Sequence, residues 1–446
     1  MTIHNNFALF SAAILASTLF FAACSDDSSS APEEKTSHEE ETSHEEHHGH
    51  HMEEPSEGDL TLGDEDIQDG FIFLQDTTIN GVLTVSTTTP GATVLKNVKV
   101  TGNLLIKRSG RVDFSGSADV VHVGSSNTDV YAFEDEAQVN GHHFMGKNNT
   151  FTTKSFAEYQ NVDWTEKSVD LATGIHLAYT VTGDEKGTPV VLIHGLTDGR
   201  VSWSQVAPSL AKKGYRVYVP EYRGNGKTDK PIDESSYSVA ELASDIAAFV
   251  EKLGLKKVHI VGHSLGAFIA QELSITNAEI VSSITLIGSG ASVDKKNATL
   301  DWLVNGTDDE AFDGIYAYDS TQKLPESFIQ AWGYSTNPDK DFQAANLEHL
   351  KQVPYYVWKY LVKNLLKIDN TKRLSSIATD VQIIWGTKDA LFDSESQKTL
   401  QKGLSKAKSV VFHEVGGADH NTHWGSAEDV KTVTGYIDEF IKSLKK

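Results

Sequence analysis

The chain has 446 residues, enough for two or three domains, and a formal net charge of −23. The charge is unevenly spread: between Asp26 and Asp69 stand seventeen Asp and Glu against one basic residue, Lys35, or about −16 of the total. With no basic stripe to neutralise phosphates, a nucleic-acid partner is excluded, and with a single cysteine no internal disulfide can form.

Residues 1–23 read as a signal peptide. "FALFSAAILASTLFFAAC" is an apolar stretch ending in small residues before Cys24, too short and too terminal for a good spanning helix. Phe21-Ala22-Ala23-Cys24 resembles a bacterial lipobox, with Phe where Leu is usual and no Lys or Arg ahead of the apolar stretch. The resemblance implies cleavage before Cys24, lipidation of its thiol and anchoring to a membrane. Ser25 follows where an aspartate would mark inner-membrane retention, so the implied location is an outer membrane. Such a protein needs no disulfides, and its domains must be held by their cores.

Residues 24–66 are Ser, Glu, Asp and His with almost no large apolar side chain. They cannot bury enough surface to offset the entropy of ordering, and read as a disordered tether. A coil of this length would span roughly 35 Å, more with its like charges repelling. Within it "TSHEEETSHEEHHGHH" gathers His38, His44, His47, His48, His50 and His51. Imidazoles suit zinc, copper or nickel, but without a folded surround the segment reads as a solvated spacer.

Residues 67–160 change character. Short apolar runs such as Val98–Val100, Leu104–Ile106, Val112–Phe114 and Val120–Val123 alternate with Gly, Ser, Asn and Asp. This predicts a small all-β domain, either a solenoid or a sandwich. Asp113, Asp119, His122, His142 and His143 are scattered over it without a catalytic pattern, which suits an interaction or spacer role.

From 165 to 446 apolar strands alternate with amphipathic helices. "TPVVLIHG", "YRVYVPE", "KVHIVGHS", "SSITLIGSG" and "VQIIWGTKD" are the strands. After Tyr237, Ser238 and Glu241 suggest a capping box, and Leu242, Ile246, Phe249, Val250 and Leu253 make one apolar stripe. The alternation predicts an α/β fold with a mostly parallel sheet and a site at the strand C-terminal ends.

"VHIVGHSLGAF" runs a buried-strand pattern straight into Gly262-His263-Ser264-Leu265-Gly266 and then a helix. Glycines on both sides let strand and helix approach around a sharp turn, forcing Ser264 into a strained conformation with an exposed hydroxyl. This is the G-x-S-x-G nucleophile elbow in its strand–turn–helix context. A serine nucleophile needs a base, and the base an orienting acid. Asp389 follows the strand "VQIIWG", and Asp419, His420 and His423 lie in a glycine-rich loop after "VVFHEV", in the order elbow enzymes require.

With these motifs in place, residues 165–446 resemble the α/β-hydrolases, in the branch of esterases, lactonases, carbon–carbon hydrolases and cofactor-free haloperoxidases. "VVLIHGLTDGRVSW" matches the oxyanion loop, "EYRGNGKTDKP" the Arg-Gly-x-Gly turn, "GTKDALF" the acid loop and "GADHNTHWGSAEDV" the histidine loop. The resemblance implies that Ser264 is the nucleophile, Asp389 the acid and His420 the base, with the backbone N–H groups of Leu196 and Leu265 as oxyanion hole. His423 is the rival base, and the spacing to the closing helix favours His420. His194 and His263 read as supporting or packing histidines. Ser264 argues against the relatives that use an aspartate nucleophile. Glu221 stands where the family usually has Asp and Thr228 where Ser is common, with little effect expected. Residues 290–374 break the alternation where the family inserts a helical lid, rich in aromatics such as Trp302, Phe312, Phe328, Trp332, Tyr334 and Trp358. A minority of these would touch substrate.

The expected activity is hydrolysis of a small carboxylic ester through an acyl-enzyme, with no cofactor and no metal. Lactone opening, peroxyacid or haloperoxidase chemistry and carbon–carbon cleavage share the triad. A second alternative is a surface binding protein that does not turn over, whose sign would be a missing triad member.

Overall fold

The computed structural model describes residues 50–51, 56–132, 137–153, 165–306, 312–318, 324–333, 337 and 339–445. The signal peptide, Cys24, nearly all of the His-rich tether and Tyr334 lie outside the described residues. The described residues belong to one compact unit, Gly49–Lys446.

Between Ser56 and Thr152 every pairing between described strands is parallel, an isolated antiparallel bridge at Gln68 and Phe71 aside. One line of strands runs Leu60–Leu62, Leu83–Val85, Leu104–Ile106 and into Gly110–Val123. A second runs Phe71–Gln75, Ala92–Val100, Gly110–Val123, Thr128–Tyr131 and Thr150–Thr152. Parallel neighbours throughout mean that the chain coils, each turn laid on the last, whereas a sandwich would pair its strands antiparallel. Leu83, Leu104 and Val121 stack in one interior column and Val85, Ile106 and Val123 in the next, all fully buried. Left-handed corners stack too. Asn97 (φ 50°) donates its amide to Asp76 (φ 49°) at 2.9 Å, and Asn148 (φ 56°) to Asn127 (φ 55°) at 3.1 Å, each pair 21 residues apart. Asn and Asp tolerate this conformation better than other residues with a Cβ.

The strands begin before residue 67, inside the stretch expected to be tether. Leu60–Leu62 pairs with Leu83–Val85, and Leu62 is buried. The acidic average of the surrounding residues hid a Leu-Thr-Leu alternation, which suffices for one short strand when a neighbouring turn covers it.

Residues 165–445 are built on an eight-stranded sheet. Its strands are β1 (Thr165–Asp170), β2 (His176–Thr182), β3 (Thr188–Ile193), β4 (Tyr215–Pro220), β5 (Val258–His263), β6 (Val281–Ile287), β7 (Asp380–Gly386) and β8 (Ser409–Val415). The order is β1-β2-β4-β3-β5-β6-β7-β8, with the β1–β2 and β2–β4 pairs antiparallel and every other pair parallel. The helices are α1 (Val206–Ala211), α2 (Val239–Lys252), α3 (Leu265–Thr276), α4 (Ala298–Asn305), α5 (Glu326–Trp332), α6 (Lys340–Gln352), α7 (Tyr355–Leu365), α8 (Ser394–Gly403) and α9 (Ala427–Ser443). Every residue of the central strand β5 and of β7 is buried, as a parallel sheet covered on both faces requires. On α2, Leu242, Ile246, Phe249 and Val250 are buried, and Ser238 accepts the Glu241 N–H at 3.2 Å, one half of the expected capping box.

Helices α4 to α7 lie between β6 and β7 and occupy the expected lid. Their aromatics pack largely on one another. Phe312 stacks on Phe328 at 4.2 Å between ring centres, and Trp358 stands edge-on to Phe328 at 5.3 Å and to Trp332 at 5.7 Å. The β-coil docks on this region: Phe71 meets Tyr356 of α7 edge-on at 4.7 Å, and the Tyr131 hydroxyl donates to the Lys351 carbonyl at 3.1 Å. Lys96 pairs with Asp229 at 2.5 Å.

Candidate active site

Ser264 sits between β5 and α3 at φ 50° and ψ −115°. A residue with a Cβ occupies this conformation only when its surroundings enforce it. Here the Ser264 N–H is tied to the Ile287 carbonyl at 2.9 Å, and α3 starts at the next residue. The glycines do what the motif demands. A Cβ on Gly262 would strike the Gly266 carbonyl, and one on Gly266 would strike the carbonyls of Ile193 and His194 at the end of β3. That close approach lays the start of α3, with Leu265, against the loop that carries Leu196. Both leucines are buried. The unpaired N–H groups at a helix start favour negative charge.

Asp389 follows β7. Its Oδ1 accepts the backbone N–H groups of Leu391 at 2.8 Å and Phe392 at 3.0 Å, so the carboxylate is held before any partner arrives. His420 lies in the loop after β8, and its Nδ1 is 3.0 Å from both Asp389 oxygens. Gly386 lets the two loops meet, because a Cβ there would collide with the carbonyls of Ala418 and Asp419. The Lys388 N–H donates to the Ala418 carbonyl at 2.9 Å and completes the tie.

Burial opposes charging of His420, but the Asp389 carboxylate outweighs it and holds the imidazole pKa above its ordinary 6.5. Its Nε2 is buried and makes no hydrogen bond. The ring packs over Gly288, where a Cβ would come within 3.0 Å of it. Gly288 adjoins Ile287, whose carbonyl receives the Ser264 N–H, so Ser264 and His420 flank the same end of β6.

His423 is a different kind of group. It is fully buried, neither ring nitrogen is hydrogen-bonded, and it packs against Trp203 at 4.3 Å and His263 at 4.2 Å. Burial and then the neighbouring His263 and His420 push its pKa well below 6.5. Nothing orients it as a base. His194 stacks on Tyr222 at 4.0 Å, with its pKa lowered to about 4 by burial.

Several polar residues behind the oxyanion loop carry no sequence motif. Arg200, fully buried, lies 3.0 Å from Glu166 and 3.6 Å from Glu221, and Lys227 is 2.5 Å from Glu166. Glu221 is thus part of a charge network, and Thr228 donates to its carbonyl at 2.6 Å. His349 of α6 backs directly onto Gly199, where no side chain would fit. The stretch "TDGR" beside the oxyanion loop was the available signal, since Asp198 and Arg200 are charged residues in an apolar setting. Among the described residues no group of three or more His, Cys, Asp or Glu is placed to hold a metal ion, and no helix is long and apolar enough to cross a membrane.

The sequence signature of the alpha/beta hydrolase fold matches residues 188–427, more than half of the chain. A 2-hydroxy-6-oxononadienedioate/2-hydroxy-6-oxononatrienedioate hydrolase of Pseudomonas putida is 28% identical over 292 residues, covering 61% of this chain and 93% of that protein. Lipase 1 of Psychrobacter immobilis is 24% identical over 283 residues, covering 59% and 83%. The solved structure of an esterase from Exiguobacterium antarcticum superposes with a TM-score of 0.52 at 19% identity, covering 63% of this chain and 99% of that one, which speaks to the fold. The chain belongs to the α/β-hydrolase family and is an enzyme of the hydrolase class.

Proposed function

We propose that the protein hydrolyses a carboxylic ester through an acyl-enzyme on Ser264, His420 and Asp389. The observation that carries this reading is the Asp389–His420 pair beside a serine in elbow conformation. The Ser264 hydroxyl oxygen attacks the ester carbonyl carbon while His420 Nε2 takes its proton. The negative charge passes to the former carbonyl oxygen, where the N–H groups of Leu196 and Leu265 receive it, each worth about 3 kcal/mol on the barrier. The imidazolium, steadied by Asp389, returns the proton to the leaving alkoxide as the carbon–oxygen bond breaks. Water then adds to the acyl-enzyme by the same route, with His420 again taking and returning a proton, and the acid is released. The Asp389 carboxylate keeps the Nδ1 proton in place and leaves Nε2 as the basic nitrogen.

Similarity to a relative named as a hydrolase of 2-hydroxy-6-oxo dienedioates makes carbon–carbon cleavage the second reading. Chromogenic acyl esters, lactones and a vinylogous diketone assayed side by side on the same preparation separate the two. Ester turnover that vanishes in Ser264→Ala supports the first. Diketone cleavage without ester turnover supports the second.

The same proposal includes export and a lipid anchor at Cys24, supported by the lipobox-like Phe21-Ala22-Ala23-Cys24. One acyl chain gives only marginal membrane binding, whereas a diacylated cysteine supplies two and anchors stably. Replacing Cys24 with Ser should move the protein from the membrane pellet to a soluble fraction. If the variant stays in the pellet, the anchor lies elsewhere.

A further inference from the structure

His263, the residue before the nucleophile, is buried at the junction of three loops and takes no part in the proton transfers above. Its Nε2 is 3.1 Å from the backbone carbonyl of His420. Its Nδ1 is 3.3 Å from Oδ2 of Asp198, which also accepts the Gly195 N–H at 3.1 Å in the oxyanion loop. Gly195 must be glycine here, since a Cβ would meet the Asp198 carboxylate and the His263 ring together. One imidazole therefore touches the loop of the base and the loop of the oxyanion hole while adjoining the nucleophile in the chain.

The hydrogen-bonding logic fixes the ring. A carbonyl oxygen accepts only, so the contact with His420 requires a proton on Nε2 of His263. A neutral ring keeps that donor, and burial, partly offset by Asp198, favours the neutral ring. The imidazole of His420 is held at its other end by Asp389. Side chain and main chain of the base are thus secured by different partners on different strands.

We infer that His263 is a positioning residue, whose Nε2–H holds the His420 main chain in register with Ser264 while the ring itself is wedged against Gly195 of the oxyanion loop. The inference rests on the assignment of His420 as base. A base displaced by about 1 Å loses on the order of a hundredfold in rate without losing its protonation chemistry. The role should therefore be visible in kcat rather than in KM.

The test uses His263→Leu, His263→Asn and His263→Gln in the full chain. The glutamine amide reaches the place of Nε2, whereas the shorter asparagine amide reaches only that of Nδ1. On a chromogenic acyl ester, His263→Leu and His263→Asn should lose tenfold to a hundredfold in kcat with KM within about twofold. His263→Gln should recover most of the loss. Melting temperatures are recorded for all three, and the Gln/Asn comparison stands if His263→Leu fails to fold.

NMR of 13C-labelled histidine in a Ser264→Ala background reads the His420 titration without turnover. The His420 midpoint should fall in His263→Asn, as its grip on Asp389 loosens, and stay in His263→Gln. Equal kcat for Gln and Asn variants, or an unmoved midpoint in His263→Asn, overturns the inference. A wild-type protein inactive on every ester would count against the ester reading, and the titration would then decide the role of His263 alone.

Discussion

Nδ1 of His420 lies 3.0 Å from both oxygens of Asp389, while His423, one turn of the same loop away, has no hydrogen bond at either nitrogen. Two histidines three residues apart thus have opposite electrostatic fates: Asp389 raises the pKa of one, and burial drives down that of the other. Ser264→Ala and His420→Ala should each lose roughly four to six orders of magnitude in kcat, since nucleophile and base act as a unit. His423→Phe, which refills most of the space, should keep the rate within about tenfold, because nothing orients His423 toward a proton. Steady-state kinetics on one small acyl ester decides, and an active His420→Ala beside a dead His423→Phe would reverse the assignment.

The raised pKa of His420 has a sign that can be checked. As the proposed base, His420 must be neutral to act, so activity should fall as pH drops through its pKa, and the acid limb of kcat/KM should lie above 6.5. Asp389→Asn removes the carboxylate that holds the pKa up, so the limb should move to lower pH while the plateau falls by about 10⁴. A limb that stays put in Asp389→Asn would mean that another group controls it.

Buried neutral histidines make the fold acid-sensitive. Burial lowers the pKa of His194 and His259 to about 4 and of His349 to about 3, and depresses His263 and His423 as well. Unfolded histidines titrate near 6.5. Below that pH the unfolded chain binds protons that the folded one refuses, so stability declines as pH falls from 6.5 toward 4. Each such histidine contributes about 1.4 kcal/mol per pH unit in that window. His420, raised rather than lowered, opposes this by adding stability below 6.5 that is lost as pH rises through its own pKa. Urea titrations at pH 7, 6 and 5 should show a falling free energy of unfolding, and a flat profile would contradict the burial of these rings.

Phe71 is an apolar link between coil and lid, set against Tyr356, and Ala92 joins it in the same buried cluster. Phe71→Ala should cost about 3–5 kcal/mol, the usual range for deleting a buried aromatic. Calorimetry would show it as a lowered melting temperature. If melting is unchanged, the two parts do not stabilise each other.

The elbow, acid and histidine segments were legible in the sequence because their chemistry fixes both residue type and neighbours. Gly262, Gly266 and Gly386 announce close backbone approaches that no other residue permits. The ion network around Arg200 was not legible, since Glu166, Glu221 and Lys227 meet only after β1, the Arg-Gly turn and the oxyanion loop are brought together. In the β-coil the spacing of six to eight residues between apolar runs belongs to successive sides of one turn. The longer period was present: "GVLTV" at 81 and "GNLLI" at 102 are neighbours in the stack. It was masked by turns of unequal length, which shift the pattern before it can repeat cleanly.

The stacked corners at Asp76–Asn97 and Asn127–Asn148 set a unit of length for this part of the chain. Around those corners, loss or gain of 21 residues would return a corner to a corner and inward side chains to the interior, while other turns keep their own lengths, as Leu60 beside Leu83 and Leu104 beside Val121 show. Loss of one residue within a strand would turn every later side chain of that strand to the opposite face. A whole turn is therefore the change of length that leaves the interior of this stretch intact. Each whole turn added or removed would change the length of the stack by one strand spacing, about 4.8 Å.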